Sequence, residues 1–304
     1  MTSQAITPNS PRAWLLACRT KTLPAAAAPV LVGSALAFHQ DGFRAWPGLA
    51  CLVGAFLLQI ASNFANDVFD FEKGADTEER LGPQRAVQSG LVSARGMKSG
   101  LGIVIALSLL VGTYLVWTSG LAIVVIGLAS ILAAVAYTGG PYPLGYHGLG
   151  DVFVMLFFGF VAVCGTAYVH LGFVPTSAWL GALGVGSVVT NILVVNNLRD
   201  RHTDVHAGKR TLAVRLGRRG AVVQYVGLYV ISYLVPLCLW LGGHTGPHPL
   251  AAWLTIPVAV RCVNAIRSTE GTELNRWLAQ SAKLVFLYGF TLSLGIVASA
   301  LSYR

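Results

Sequence analysis

Charge is scarce in this chain. Of 304 residues only 11% are charged, and Asp and Glu together number 12, too few to hydrate a globular surface of this size. Cys18, Cys51, Cys164, Cys238 and Cys262 are scattered, odd in number and form no Cys-x-x-Cys pair. A disulfide framework is therefore excluded, and they read as packing residues. There is no phosphate-binding Gly-Lys-Ser/Thr loop, no Ser-His-Asp spacing and no zinc pattern, which sets aside the P-loop NTPases, the serine hydrolases and the zinc enzymes. No long linker or low-complexity tail divides the chain. A single domain over 1–304 is expected, folded from about residue 12, with 1–11 as a flexible N-terminal tail. A cleavable signal peptide is not expected, because the first ten residues are polar and the first apolar run continues to membrane length.

What the chain has in abundance is apolar sequence, 55% of it. A membrane-spanning helix needs about 20 mostly apolar residues. Nine such runs occur, near 22–38, 46–66, 100–117, 120–137, 152–172, 178–197, 221–241, 250–266 and 278–302. The fold class predicted is all-α, a polytopic bundle of nine transmembrane helices in a lipid bilayer.

Basic residues sort themselves between the two sides. Arg12, Arg19 and Lys21 precede the first run, Lys73, Arg80, Arg85, Arg95 and Lys98 follow the second, and Arg199, Arg201, Lys209, Arg210, Arg215, Arg218 and Arg219 follow the sixth. Only Arg44 and Arg304 fall to the opposite side. By the positive-inside rule the amino terminus is cytoplasmic and, with nine spans, the carboxyl terminus external. Orientation in the cell (inner or plasma) membrane thus accounts for the formal charge of +9, and no nucleic-acid partner is expected. Nothing points to an obligatory protein partner.

The few acids are concentrated. Eight of the 12 lie in two stretches, at Asp67, Asp70, Glu72, Asp76, Glu78 and Glu79, and at Asp200 and Asp204. Each stretch ends an apolar run on the cytoplasmic side. Residues four apart share a helix face, so Asn66 lies over Asp70, Asn63 over Asp67 and Asp200 beside Asp204. Carboxylate and amide oxygens so placed suit a hard divalent cation such as Mg²⁺, which completes its sphere with water or substrate phosphate. The competing account is helix caps and salt bridges, which fits Glu72, Glu78 and Glu79 individually, but ionisable groups at membrane depth mark functional sites by default. The two stretches stand about 130 residues apart, an internal echo suggesting two halves that face one cavity. Phosphate would also need cations, for which Arg19, Lys21, Arg80, Arg85, Lys209 and Arg210 are the candidates. Tyr137 opens a Gly- and Pro-rich turn on the same side. Its ring could face an allylic cation or simply stop a helix at the interface. Asp151 and His170 are read as an N-cap and a helix-end anchor.

Three motifs resemble those of the UbiA-type intramembrane prenyltransferases, and specifically their menaquinone branch, the 1,4-dihydroxy-2-naphthoate polyprenyltransferases. They are Arg19-Thr20-Lys21-Thr22-Leu23-Pro24-Ala25, then Asn66-Asp67-Val68-Phe69-Asp70-Phe71 with Asp76-Thr77-Glu78-Glu79-Arg80-Leu81-Gly82-Pro83, and Gly208-Lys209-Arg210-Thr211-Leu212-Ala213-Val214-Arg215-Leu216-Gly217. The segment 137–150 is similar too. The resemblance implies a bundle around a central cavity in which two Mg²⁺ ions, held by Asn66, Asp67, Asp70, Asp76, Asp200 and Asp204 with Asn197 beside them, bind the diphosphate of a polyprenyl donor. It also implies transfer of the prenyl group to 1,4-dihydroxy-2-naphthoate with loss of CO₂ and a proton, giving demethylmenaquinol, with Asp70, Asp200, Asp204 and Tyr137 as catalytic residues. Two positions depart from the wider superfamily, Gly74 where a further Asp stands and Pro141 where many relatives carry Lys. Other acceptors, such as 4-hydroxybenzoate or homogentisate, remain alternatives, as does a secondary transporter. A CDP-alcohol phosphotransferase is disfavoured by the lack of an Asp-Gly-x-x-Ala-Arg segment.

Overall fold

In the computed structural model, which describes residues 6–75 and 80–302, all regular structure is helical. A short helix α1 (Pro11–Cys18) precedes α2 (Leu23–His39), α3 (Ala45–Glu72), α4 (Ala94–Ser119), α5 (Ala122–Ala136), α6 (Gly150–Leu171), α7 (Thr176–His206), α8 (Leu212–Leu241), α9 (His248–Ser268) and α10 (Leu274–Ser302). Among the described residues eight helical segments are long and apolar enough to cross a membrane, α1 and α2 counting together as one, and α5 is a shorter apolar helix of 15 residues. Each of the nine expected runs falls on one of α2 to α10.

Of the expected N-terminal tail, residues 6–11 are held against the rest of the protein. Ser10 Oγ accepts the N–H of Ala13 at 3.3 Å and Pro11 occupies the first turn, a strong N-terminal signal for α1. Residues 6–11 are no loose tail: Asn9 N–H donates to Leu91 O at 2.8 Å and Ile6 packs on a buried cluster. Trp14 rests on Phe64, ring centroids 5.6 Å apart, and so attaches α1 to α3. At Arg19 the backbone turns left-handed, φ 49°, and separates α1 from α2.

The main core joins α2, α6, α7, α8, α9 and α10. Small residues let these backbones approach: a Cβ on Gly159 would sit 2.8 Å from Ala182 O, and one on Gly289 2.7 Å from Ala28 Cβ. In lipid such close packing replaces the missing hydrophobic drive between helices. Midway along α6, Met155–Val161 winds as a π-helix, and within α8 the chain breaks at Gly217, φ 66° and ψ −176°, a conformation suited to glycine. By contrast α4 and α5 turn large apolar side chains outward, among them Leu110, Trp117, Val125 and Leu132, as helices bordering lipid would.

Alternation of direction gathers residues 73–75 and 80–93 and the 137–149 and 207–211 connections at one end of the bundle. Arg210 N–H donates to Tyr146 O at 2.7 Å, Lys73 Nζ to Thr138 O at 2.6 Å, and Arg215 Nη2 to His147 O at 2.8 Å. At the other end Arg44 donates to Val169 O and Thr118 O, and its backbone N–H to His170 Nδ1. His170 is thus a helix-end anchor.

Candidate functional site

A cavity of ≈ 580 Å³ opens at the loop-rich end and runs into the bundle between α3, α4, α5, α6 and α7. Its deep wall is apolar, including Val111, Ile126, Phe157 and Val161, and its mouth is polar. Both acid stretches reach it. Continuation of α3 to Glu72 puts Asn66 and Asp70 on the wall, and continuation of α7 to His206 puts Asn197, Asp200 and Asp204 there as well.

Asp70 is the most heavily engaged acid. Its Oδ1 accepts from Tyr146 OH at 2.7 Å and lies 3.3 Å from Lys209 Nζ, while its Oδ2 accepts from Arg85 Nη2 at 3.0 Å. The carboxylate is buried, as is Arg85. Lys209 also stands 4.5 Å from the centre of the Tyr146 ring and Lys73 5.3 Å from it, distances at which a ring face attracts cations. The Lys73 ammonium is held below the usual lysine range, first by partial desolvation and further by Lys209, with Asp70 opposing both. Asn66 Oδ1 accepts from Thr138 Oγ1 at 2.9 Å, which joins α3 to the turn after α5.

On the facing wall, Arg199 is fully buried and grips Asp200 with two parallel bonds, Nε to Oδ1 at 2.7 Å and Nη2 to Oδ2 at 2.5 Å. The same guanidinium donates to Asn196 Oδ1 and Asn275 Oδ1, each at 2.8 Å. Asn275 in turn donates to Leu81 O at 2.8 Å. The segment that carries Arg85 to Asp70 is therefore also tied to the second acid stretch, and a Cβ on Gly82 would meet Arg199 Nη2 at 2.7 Å.

Asp67 departs from its expected place among the metal ligands. It is buried off the cavity wall, where Oδ2 and Oδ1 accept the backbone N–H groups of Ala86 and Val87, both at 3.0 Å. Two backbone donors satisfy this carboxylate, so it fastens the loop. Asn63 turns from Asp67 to bond Cys18 O and Thr22 Oγ1. Arg19, Arg80, Arg85, Lys209 and Tyr137 line the cavity, whereas Lys21 and Arg210 are exposed and do not. Asp76 lies outside the described residues. Asp151, read as an N-cap, accepts from Gln224 Nε2 at 2.9 Å instead. Arg199, Tyr146 and Lys73 were not singled out by the sequence. An arginine beside an aspartate just past the end of an apolar run was the available signal for the first.

Comparison with known proteins agrees with this architecture. The UbiA prenyltransferase family model matches residues 26–294. A Haemophilus influenzae 1,4-dihydroxy-2-naphthoate octaprenyltransferase is 37% identical over 293 residues, covering 93% of this chain and 95% of its own. The Escherichia coli protein of that name is 37% identical over 98% of this chain and 99% of its own. Among solved structures, a UbiA homologue from Archaeoglobus fulgidus bound to GPP and Mg²⁺ superposes with a TM-score of 0.66 at 15% identity, covering 94% of this chain and 99% of that one. An apo homologue from Aeropyrum pernix K1 gives 0.69 at 17% identity, over 91% and 97%. With the model spanning most of its length and relatives aligning nearly end to end, the chain belongs to the UbiA prenyltransferase family.

Proposed function

We propose that this protein transfers a polyprenyl group from polyprenyl diphosphate to 1,4-dihydroxy-2-naphthoate, with loss of CO₂ and diphosphate, to give demethylmenaquinol for menaquinone biosynthesis. The observation that carries this is the division of one cavity into an acid- and base-lined mouth and an apolar interior, the same division as in a polyprenyl diphosphate. Relatives 37% identical over almost the whole chain bear the naphthoate activity in their names, which supports the acceptor. The protein works as one membrane unit, with its amino terminus and the cavity mouth on the cytoplasmic side and its carboxyl terminus external. The charge distribution supports that orientation.

The donor set fits Mg²⁺. Asn66, Asp70, Asn197, Asp200 and Asp204 offer hard oxygens at the cavity, the donor type of a cation that completes its sphere with substrate phosphates. Asn66 and Asp70 would hold one ion and Asp200 and Asp204, with Asn197, a second. When bound, the ions offset the charge of the diphosphate and of the departing pyrophosphate.

Around that site the side chains divide the work. Lys209 and Arg85, already seated on Asp70, together with Arg19 and Arg80, attract phosphate oxygens and stabilise the charge that grows on the leaving group. Tyr137, at the cavity wall, turns a ring toward the allylic carbon as its bond to oxygen breaks. Ile126, Phe157 and Val161, deeper in the cavity, give the prenyl chain an apolar seat from which water is excluded. The electron-rich naphthoate ring attacks it and, as the neutral acid, sheds its carboxyl group as CO₂ and a proton.

A side-by-side assay tests the acceptor, using purified protein, one polyprenyl diphosphate, and either 1,4-dihydroxy-2-naphthoate labelled in its carboxyl group or 4-hydroxybenzoate. Prenylated naphthol with labelled CO₂ is the expected outcome. Preference for 4-hydroxybenzoate, or a prenylated product that retains the carboxyl, would refute the assignment.

A further inference from the structure

We propose that Tyr146 is a positioning residue for diphosphate capture, whose side chain keeps the Lys209 ammonium from closing fully on Asp70 and so leaves it ready for a phosphate oxygen. The inference rests on the prenyl-transfer reading above and adds to it the residue that sets a phosphate-binding cation in place before the donor arrives.

Tyr146 is brought to the site by one face of α3. Asn66, Asp70 and Lys73 recur at the spacing of a helical row, and all three bond the connection between α5 and α6. Asn66 Oδ1 accepts from Thr138 Oγ1 at 2.9 Å, Asp70 Oδ1 accepts from Tyr146 OH at 2.7 Å, and Lys73 Nζ donates to Thr138 O at 2.6 Å and to Gly140 O at 3.1 Å. From the other side Arg210 N–H donates to Tyr146 O at 2.7 Å, which sets Tyr146 against the segment that carries Lys209. The ring is therefore held through both its hydroxyl and its backbone.

Two ammonium groups stand over that ring, Lys209 at 4.5 Å from its centre and Lys73 at 5.3 Å. Lys73 is engaged by its two carbonyl oxygens. Lys209 is shared between the ring and Asp70 Oδ1, from which its Nζ is 3.3 Å away. A charge-assisted bond to a carboxylate closes to about 2.7–2.9 Å, and in this protein Lys98 closes to 2.6 Å on Glu72 with 49% of its side chain exposed. Lys209 is only 15% exposed, so water screens its pairing less, yet it stands further off. Arg85 shares the charge of the carboxylate but sits on Oδ2. At Oδ1 it is Tyr146 that intervenes: its hydroxyl occupies the near approach, and its ring face draws the ammonium toward itself.

The empty and the occupied site gain differently from this. When the donor binds, Lys209 turns to phosphate and keeps its place over the ring. Without the ring, the empty site falls back on a tight Lys209–Asp70 pair, which must then be broken before either group can serve the diphosphate. Loss of the ring thus costs the occupied site more than the empty one, and affinity for the donor falls.

The test measures the dissociation constant of an unreactive prenyl thiolodiphosphate for the full-length protein in lipid nanodiscs with Mg²⁺. Tyr146→Leu weakens binding about tenfold, Lys209→Met by a similar factor, and the double variant no further than Lys209→Met, because Tyr146 acts through Lys209. Tyr146→Phe keeps the ring and holds the affinity within about threefold, although turnover falls as Asp70 loses its hydroxyl donor. Fluorines on the ring of Tyr146→Phe weaken its hold on a cation with little change of shape, so one, two and three of them lower the affinity stepwise, by about fivefold in all. Additive losses in the double variant overturn the inference, as damage that does not pass through Lys209. An affinity indifferent to fluorination overturns it too, and that result does not depend on the folding of Tyr146→Leu. Folded wild type that binds no prenyl thiolodiphosphate would instead strike the prenyl-transfer reading and take this inference with it.

Discussion

Replacing Arg199 by Met should damage the protein more than replacing any exposed arginine, and the structure supplies the scale. Arg199 has no exposed side-chain surface and holds the Asp200 carboxylate, itself 13% exposed, with two bonds. Loss of one partner from a buried ion pair costs about 3–5 kcal/mol, because the other charge is left without compensation. Slight exposure of Asp200 lets water recover part of that, whereas the acceptors on Asn196 and Asn275 are orphaned as well, at about 1 kcal/mol each. A net loss of about 4 kcal/mol is expected for Arg199→Met. Arg199→Lys keeps the charge, but an ammonium cannot reproduce the planar fork, and about half that loss is expected. Asn275 also holds Leu81, so the loop over the site loosens and Asp200 shifts; a displacement of about 1 Å is enough for a 100-fold fall in turnover. Unfolding by SDS in mixed micelles measures the stability, and pyrophosphate release at saturating Mg²⁺ measures the turnover. Arg199→Met within about 1 kcal/mol of wild type, with unchanged turnover, would refute the argument that this buried cluster organises the second acid stretch.

Asp70→Asn and Asp67→Asn should separate two carboxylates three positions apart: the first loses turnover by more than about 100-fold together with some stability, because buried Arg85 loses its counter-charge, and the second loses stability but keeps its Mg²⁺ dependence. An altered Mg²⁺ requirement in Asp67→Asn would return that residue to the metal site. A cysteine placed at the exposed Gln84 should react with an impermeant thiol reagent only after the membrane is opened, and labelling from the external face of intact cells would reverse the orientation.

Length and hydropathy alone determine where the helices lie, since each needs enough apolar residues to cross hydrocarbon and must satisfy its own backbone within the segment. The fourfold spacing of Asn66 with Asp70 and of Asp200 with Asp204 was likewise legible, because a helical face depends only on local geometry. Which side of α3 met the cavity was not. Asp67 and Asp70 are three apart and of one residue type, and only the passage of residues 86–87 behind the helix gives the first two backbone donors and leaves the second to Tyr146, Arg85 and Lys209. The same holds for Arg199, counted by the sequence as one more cytoplasmic charge. Its partners Asn196 and Asn275 lie 79 positions apart in the chain, and no local pattern announces a contact of that range. Lys21 and Arg210, chosen for their neighbours in sequence, face outward because a left-handed turn at Arg19 and a backbone bond from Arg210 to Tyr146 orient the chain there. Periodicity governs what one helix shows to its surroundings; what those surroundings are is decided when distant segments pack.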